Sequence, residues 1–341
     1  MSGRDGDAAT EVMIGCLETL GPLARPLLVG EPSGRLADAL RAQGAKPVQW
    51  LRTALASSGL TARPWPQDGA CDAAFVRLPK AKAALDFALH AVASRLPAGG
   101  LIAVFGANDE GVKSALPRLE VVADSVETYR IQRHARVITG RRRGDNAGLK
   151  GQLADWRTSQ EIEFGSERIA WVSYPGVFAK GGLDDGTRLL IAHLPEVEPR
   201  MRVLDFAAGS GVIGRAILER QAEAELTLLD ADALAIEAAR ENVPGAQMIV
   251  GDSLSASGTR PYELIVSNPP LHQGVAESHA VLQRLVAEAP GHLAGGGRLL
   301  LVVQRRVAVV AAMEAAFGNA QVLADDGRFT VVAATRIPTR R

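Results

Sequence analysis

The residues best suited to chemistry in this sequence are Asn268, Pro269 and Pro270, which follow an apolar run ending at Ser267 and precede Leu271 and His272. An exocyclic amine on guanine or adenine is a poor nucleophile, because its lone pair is delocalised into the ring. The side-chain oxygen of Asn268 and the carbonyl of Pro269 can both accept hydrogen bonds from such an amine. Held by two acceptors, the lone pair can be aimed at an electrophilic methyl group and localised as the nitrogen becomes tetrahedral. The prolines stiffen the loop so that the acceptors stay aimed. Neither a metal nor a strong base is required, since the methyl donor is activated and the proton can leave afterwards. The competing reading is a turn with a purely structural role.

A donor site is written upstream. Arg202–Gly214, RVLDFAAGSGVIG, reads as a buried strand, a tight turn of small residues and a helix start. Ala207, Ala208, Gly209, Ser210 and Gly211 let the backbone approach a ligand, and the helix start offers free N–H groups. Such turns also occur without a ligand, so the residues that follow matter. Asp230 closes LTLLD about 25 residues after Asp205, close to where an acidic side chain meets a nucleotide-type ribose. It would accept hydrogen bonds from both ribose hydroxyls, or else cap a helix. Asp252 follows the third strand, where a carboxylate can take an adenine amino group; the alternative is an ordinary loop aspartate. Asp205 is expected to fix the turn or meet the cofactor's amino group rather than act as a base. The turn, the acid and the Asn268 loop together point to methyl transfer from S-adenosylmethionine, with Ala207, Gly209, Gly211 and Asn268 itself lining the cofactor.

The elements needed to position these residues are legible around them. From Met201 onward, strands are expected at 201–206, 225–229, 246–250, 262–266 and 297–303, with a closing hairpin at 320–324 and 329–336. Helices with apolar residues at 3.6-residue spacing separate them, over 212–221, 233–242, 275–288 and 307–317. Ligands in such sheets bind beyond the carboxyl ends of the strands, where every candidate lies. In the first half, strands at 26–30, 73–78 and 99–105 and helices at 35–43 and 80–96 are followed by β-rich stretches at 119–123 and 125–138. LPAGGLIAVFG (Leu96–Gly106) resembles LAGGGRLLLVV (Leu293–Val303), and Leu78-Pro79-Lys80 is expected where the second half has Asn268-Pro269-Pro270. This reads as an internal duplication whose first copy lacks the acidic strand end and the asparagine, so no chemistry is expected there. The alternative is an unrelated α/β domain. The expected fold class is α/β, with two tandem Rossmann-like class I methyltransferase domains, the N-terminal one degenerate. The polar TGRRRGDNAGL (Thr139–Leu149) sets the expected domains at 1–145 and 146–341.

Length and composition agree with two ordinary domains, at 341 residues with 47% hydrophobic and 22% charged residues. Lys plus Arg equals Asp plus Glu, 38 of each, which counts against a large basic footprint for nucleic acid. One local patch could supply it. Arg130, Arg133, His134, Arg136, Arg141, Arg142 and Arg143, behind Tyr129, could grip phosphates, or form a solvated strand edge and linker. Cys16 and Cys71 have no metal-ligand spacing and read as buried thiols in a reducing compartment. No apolar run reaches the ~18 residues of a membrane span. MSGRDGDAATE, acidic and polar, is unlike a secretory signal. The expectation is a cytoplasmic monomer with no metal and no membrane contact.

The whole chain resembles the ribosomal RNA guanine-N2 methyltransferases, in particular the small-subunit methyltransferase C family and its large-subunit relative, methyltransferase G. The resemblance rests on LPKAK (Leu78–Lys82), GVFAKGGLDDGTRLL (Gly176–Leu190), the turn after Asp205, NPPLHQG (Asn268–Gly274) and DGRFTV (Asp326–Val331). It implies a catalytic C-terminal half that binds S-adenosylmethionine and modifies a guanine amine in ribosomal RNA. The degenerate N-terminal half would support RNA binding and folding. In methyltransferases the segment ahead of the first sheet strand folds over the methionine end of the cofactor, which makes Phe178 and Asp184 candidates, against packing and helix N-capping. Pro270, Leu271 and His272 fall on the substrate side, although His272 could equally be a local hydrogen-bonding residue; His279 reads as a surface residue. Ala207-Ala208 stands where the family has Gly-Cys, and Leu271 where an aromatic stacks on the target base, a contact worth ~1–3 kcal/mol. The leading reading is a 16S rRNA guanine-N2 methyltransferase, its partner being ribosomal RNA or a ribosomal subunit. Methylation of another amine (23S rRNA, another nucleic acid or a protein glutamine) and an inactive cofactor- or RNA-binding module are the alternatives.

Overall fold

Strands that are apolar at nearly every position need cover on both faces, and the chain builds two sheets of this kind. The structure, a computed structural model, describes residues 5–145, 147–164, 167–177, 183–269 and 275–338. The chain divides between Arg157 and Thr158.

The first unit runs α1 (Asp5–Ile14), α2 (Leu17–Leu20), β1 (Leu27–Val29), α3 (Arg35–Ala42), β2 (Val48–Trp50), β3 (Ala73–Arg77), α4 (Lys82–Ala93), β4 (Leu101–Ala107), α5 (Leu116–Leu119), β5 (Ala123–Gln132) and β6 (Ala135–Arg142). Its sheet has the order β2-β1-β3-β4-β6-β5, with β1 to β4 parallel and the last two antiparallel. The expected β-rich stretch at 119–123 is instead the end of α5 and the approach to β5. The single expected stretch at 125–138 is a hairpin. It turns at Arg133 and His134, whose φ values of 48° and 59° are both left-handed, a pairing whose twist suits two-residue hairpins.

The expected boundary after residue 145 lies twelve residues short of the observed one. Thr139–Arg142 completes β6 rather than forming a linker, and the chain beyond it packs back on α4. The Lys150 N–H donates to His90 Nδ1 at 3.1 Å, and the Trp156 ring meets Phe87 and His90 edge-on at 5.4 and 5.2 Å. Burial, with the Lys150 charge beside it, lowers the pKa of His90, which keeps Nδ1 available as an acceptor.

The second unit opens with a separate hairpin, β7 (Thr158–Phe164) and β8 (Glu167–Ser173), followed by α6 (Asp185–Ala192). Then come β9 (Arg202–Phe206), α7 (Val212–Arg220), β10 (Glu225–Asp230), α8 (Ala233–Asn242), β11 (Gln247–Val250), β12 (Tyr262–Ser267), α9 (Val275–His292), β13 (Leu293–Gln304), α10 (Val309–Phe317), β14 (Gln321–Asp325) and β15 (Phe329–Thr335). The sheet order is β11-β10-β9-β12-β13-β15-β14. Period-two alternation sorts each strand between two cores. Val203, Leu264, Leu300 and Val302 face α6, α7 and α8, while Leu204, Ile265, Leu299 and Leu301 face α9 and α10. Removing β11 from this order leaves the order of the first sheet, strand for strand, as the internal duplication requires.

Candidate active site

The turn after β9 is built from left-handed backbone. Ala207, Gly209 and Gly211 have φ of 58°, 56° and 93°. Gly211 and Gly214 are glycine for packing as well: a Cβ would meet Val243 Cγ2 at 2.6 Å and Leu228 Cδ2 at 2.5 Å, respectively. The backbone thus brings α7 against β10 and α8. Gly209 differs, because a Cβ there would meet no atom within 4 Å, so the turn faces open space at that point. Ala207 holds a conformation that costs an L-residue roughly 1–2 kcal/mol, in the position where the resemblance expects glycine.

Asp205 is fully buried beneath this turn. Its Oδ2 accepts the Gly214 N–H at 3.1 Å, fixing the start of α7, and its Oδ1 has no hydrogen-bond partner among the described residues. Burial, helped by the nearby Asp230 charge, pushes its pKa well above the ordinary carboxylate range despite the Gly214 bond. The folded state therefore holds this proton more tightly than the unfolded chain. The associated stability is complete below the ordinary carboxylate pKa and is lost as pH rises through the folded value. Asp205→Asn is expected to raise Tm at about pH 8, by roughly 2–4 °C per kcal/mol of relieved charge burial. The gain should vanish near pH 4, around the unperturbed pKa. Thermal melts across that range check it.

Asp230 ends β10 with both oxygens engaged: Oδ2 accepts from Gly209 N at 2.8 Å and Oδ1 from Asp232 N at 2.8 Å. Capping of α8 falls to Asp232, which accepts from Leu234 N at 3.0 Å, so Asp230 is not the helix cap. Asp252 is held by Arg284 of α9, with Oδ2 at 3.6 Å from Nη1, and its own carbonyl accepts from the same guanidinium. Two residues that the sequence did not mark hold the turn from behind. Trp171 of β8 donates Nε1–H to Ser210 Oγ at 3.0 Å, and Asn242 of α8 bridges Val172 and the Ser210 carbonyl at 2.8–3.0 Å. A tryptophan in an alternating strand and an asparagine at a helix end carry no sign in sequence that they converge on one serine.

Asn268 follows β12, and Ser267 Oγ donates to the Phe206 carbonyl at 2.6 Å, tying β12 to β9 where the cofactor turn begins. The Asn268 Nδ2 donates to Thr187 Oγ1 at 2.9 Å and lies 3.3 and 3.4 Å from the two Asp184 oxygens. Asp184 is the N-cap of α6, accepting from Thr187 N at 2.8 Å and Thr187 Oγ1 at 2.9 Å. Its carboxylate is thus engaged with α6 and Asn268. The DGRFTV segment supports the same corner. Asp326 Oδ1 accepts from Arg328 N and Phe329 N at 2.8 and 2.7 Å, Arg328 pairs with Asp185 at 2.9 Å, and Phe329 packs where a Gly186 Cβ would come within 3.0 Å. Pro269 is buried, and His279 is exposed on α9. Phe178, Pro270, Leu271 and His272 lie outside the described residues.

The same positions in the first sheet show what has been lost. Val29 pairs with Trp50 and Val76 as Phe206 pairs with Leu229 and Ser267. Gly30 and Gly34, with φ of 68° and 76°, keep the left-handed ends of the turn. Pro32, lacking an N–H, replaces Gly209, and buried Leu51 replaces Asp230. The register also moves the counterpart of Asn268 one residue earlier than the sequence comparison suggests: it is Arg77, with Leu78-Pro79 matching Pro269-Pro270. Arg77 makes a two-pronged ion pair with Glu110 at 2.6 and 2.7 Å. Burial raises the Glu110 pKa, but the bonds from Arg77 and the Ala107 N–H outweigh it and leave the carboxyl below its usual range. An ion pair therefore sits where the amide would be.

Among the described residues no helix is long and apolar enough to cross a membrane, and no group of three or more His, Cys, Asp or Glu could hold a metal. The family described as methyltransferase small domain matches residues 168–333, and the one described as methyltransferase small domain N-terminal matches residues 25–158. The chain is 32% identical to the ribosomal RNA small subunit methyltransferase C of Hahella chejuensis, covering 92% of this chain and 94% of that protein. With the same-named protein of Stutzerimonas stutzeri it shares 31% identity over 97% and 99% of the two chains. In three dimensions it is similar to the T. thermophilus 16S rRNA N2 methyltransferase solved in complex with AdoMet and guanosine. That match has a TM-score of 0.82 at 23% identity, covering 98% and 92% of the chains, and so speaks to the fold.

Proposed function

The chain belongs to the ribosomal RNA small subunit methyltransferase C family, and we infer that it transfers a methyl group from S-adenosylmethionine to the N2 amine of a guanine in 16S rRNA. The observation that carries this reading is the placement of Asn268-Pro269 at the end of β12, beside the small-residue turn that follows β9. The residues present fit the cofactor. Gly209 leaves open space before the turn, Asp230 brings a half-buried carboxylate to the strand end, and Asp252 stands at the end of the next strand. S-adenosylmethionine supplies an activated methyl group. Asp230 would hold the ribose hydroxyls, Asp252 the adenine amine, and Ala207, Gly209 and Gly211 the backbone wall, with Phe178 assigned to the methionine end.

Asn268 Oδ1 and the Pro269 carbonyl accept the two N–H groups of the guanine amine. They turn its lone pair out of the ring plane as the nitrogen becomes tetrahedral, and stabilise the positive charge that grows on it. The amine proton then passes to water. The target base must leave its stack to reach these acceptors, and we assign Pro270, Leu271 and His272 to the substrate side on the resemblance of NPPLHQG to the family's loop. The test is tritiated methyl transfer to unmodified small subunits, large subunits and free rRNAs. N2-methylguanine in 16S rRNA is the expected product; label in 23S rRNA alone, or none, would overturn the reading.

We assign the first unit to gripping RNA away from the target, through the β5–β6 hairpin. Not all of the basic stretch is available for this. Arg136 Nε donates to Asn108 at 2.7 Å, and Arg143 pairs with Asp124 at 3.2 Å. Arg133 and His134 are exposed at the tip, with Arg130 half-buried beside them. Arg130→Glu/Arg133→Glu is expected to raise KM for RNA about tenfold and flatten the salt dependence by roughly one to two phosphate contacts, with kcat unchanged. One copy carries every residue invoked, which supports action as a monomer, and a ribosomal RNA substrate supports a cytoplasmic location. Sedimentation at assay concentration tests the first point.

A further inference from the structure

We propose that Thr187 and Asp184 are a positioning pair that sets which end of the Asn268 side-chain amide faces the substrate amine. This rests on the guanine-N2 reading above. The oxygen and nitrogen of a carboxamide are nearly the same size, so shape does not choose between the two orientations; the hydrogen-bond partners do. An amide presenting NH2 to an amine would set donor against donor. Presenting Oδ1 makes the acceptor that the reaction needs.

The partners here choose without ambiguity. The Thr187 hydroxyl has one proton, and it is spent on Asp184 Oδ2 at 2.9 Å. Its lone pairs then face Asn268, whose Nδ2 lies 2.9 Å away. The Asp184 carboxylate, acceptor-only when ionised, lies 3.3 and 3.4 Å from the same nitrogen. Three oxygens on one side of the amide demand its NH2, and a reversed amide would press Oδ1 against a carboxylate. Oδ1 is therefore turned to the opposite side.

The pair is itself held in place. Asp184 cannot rotate away without giving up the Thr187 N–H at 2.8 Å, which caps α6. The start of α6 is pinned in turn by Arg328 on Asp185 and by Phe329 on Gly186. An ordinary N-cap needs only the aspartate and a backbone N–H. The hydroxyl relay to Asn268 is additional, and it ties the LDDGT and DGRFT segments to the reacting amine.

Thr187→Val tests this with little disturbance, because valine keeps the β-branch and the capping N–H and removes only the hydroxyl. Expected is a fall in kcat of about 10- to 100-fold, the order of loss from misplacing a reacting group, with the Kd of S-adenosylmethionine and KM for RNA unchanged. Thr187→Ser should restore kcat. In an Asn268→Ala background Thr187→Val should cost nothing further, since the group it positions is gone. Side-chain ¹⁵N NMR gives a second readout independent of turnover. The Asn268 NH2 signal, assigned by its loss in Asn268→Asp, should exchange slowly with solvent in the wild type and faster in Thr187→Val. Wild-type kcat together with unchanged amide exchange in Thr187→Val would overturn the proposal, as would equal losses in both backgrounds. If the wild-type protein labels no guanine N2, the function reading fails, while the amide exchange still decides whether the lock exists.

Discussion

Asn268→Ala is expected to lower methyl transfer to 16S rRNA by about 10²–10³-fold or more, the cost of removing one preorganised group that meets charge developing in a transition state. Binding of S-adenosylmethionine should stay within a few-fold of wild type, because the turn after β9 and Asp230 do not depend on the amide. Single-turnover rates with isothermal titration of the cofactor separate the two quantities. Asn268→Asp is the sharper variant. It keeps an acceptor toward the amine but places a second carboxylate against Asp184, where the amide nitrogen now lies 3.3 Å from Oδ2. Two carboxylates that close cannot both ionise easily, so activity should stay low at neutral pH. An Asn268→Ala enzyme that turned over at the wild-type rate would remove the amide from the mechanism.

Asp230→Ala is expected to act on the cofactor instead. Two ribose hydroxyls bonded to a charged acceptor are worth ~1.5–3 kcal/mol each before compensation, so a rise in the Kd of S-adenosylmethionine of about 10²-fold or more follows. The variant also frees the Gly209 N–H, now held at 2.8 Å, and so loosens the turn that forms the cofactor wall. Asp230→Asn keeps an oxygen for Gly209 but loses the charge, and should fall between alanine and wild type. Titration calorimetry decides this; an unchanged Kd in Asp230→Ala would move the ribose site elsewhere.

These expectations draw unequally on sequence and structure. The strand-turn-helix around Asp205, the acid at Asp230 and the Asn268 loop were readable because each belongs to a short stretch whose residue types serve one local geometry. The sheet order follows from alternating strands and helices, which leave few unknotted right-handed arrangements. The duplication was readable in the LPAGGLIAVFG and LAGGGRLLLVV segments, but its register was not. A one-residue offset beside a proline is invisible until Val29 and Val76 are seen paired as Phe206 and Ser267 are.

The α/β class, the two-part chain and the identity of the residues at the strand ends were therefore legible along the chain. Periodicity and turn chemistry act over a few residues and leave their mark in order along the chain. It took the folded chain to show which way the Asn268 amide points, that Trp171 and Asn242 hold the cofactor turn, that Arg77 with Glu110 fills the vestigial site, and that the division falls after Arg157 rather than in the polar stretch before it. Each of these depends on hydrogen bonds or ring contacts between residues 32 to 84 positions apart. Such pairings are set by where the sheets bring side chains together, and no local pattern records them.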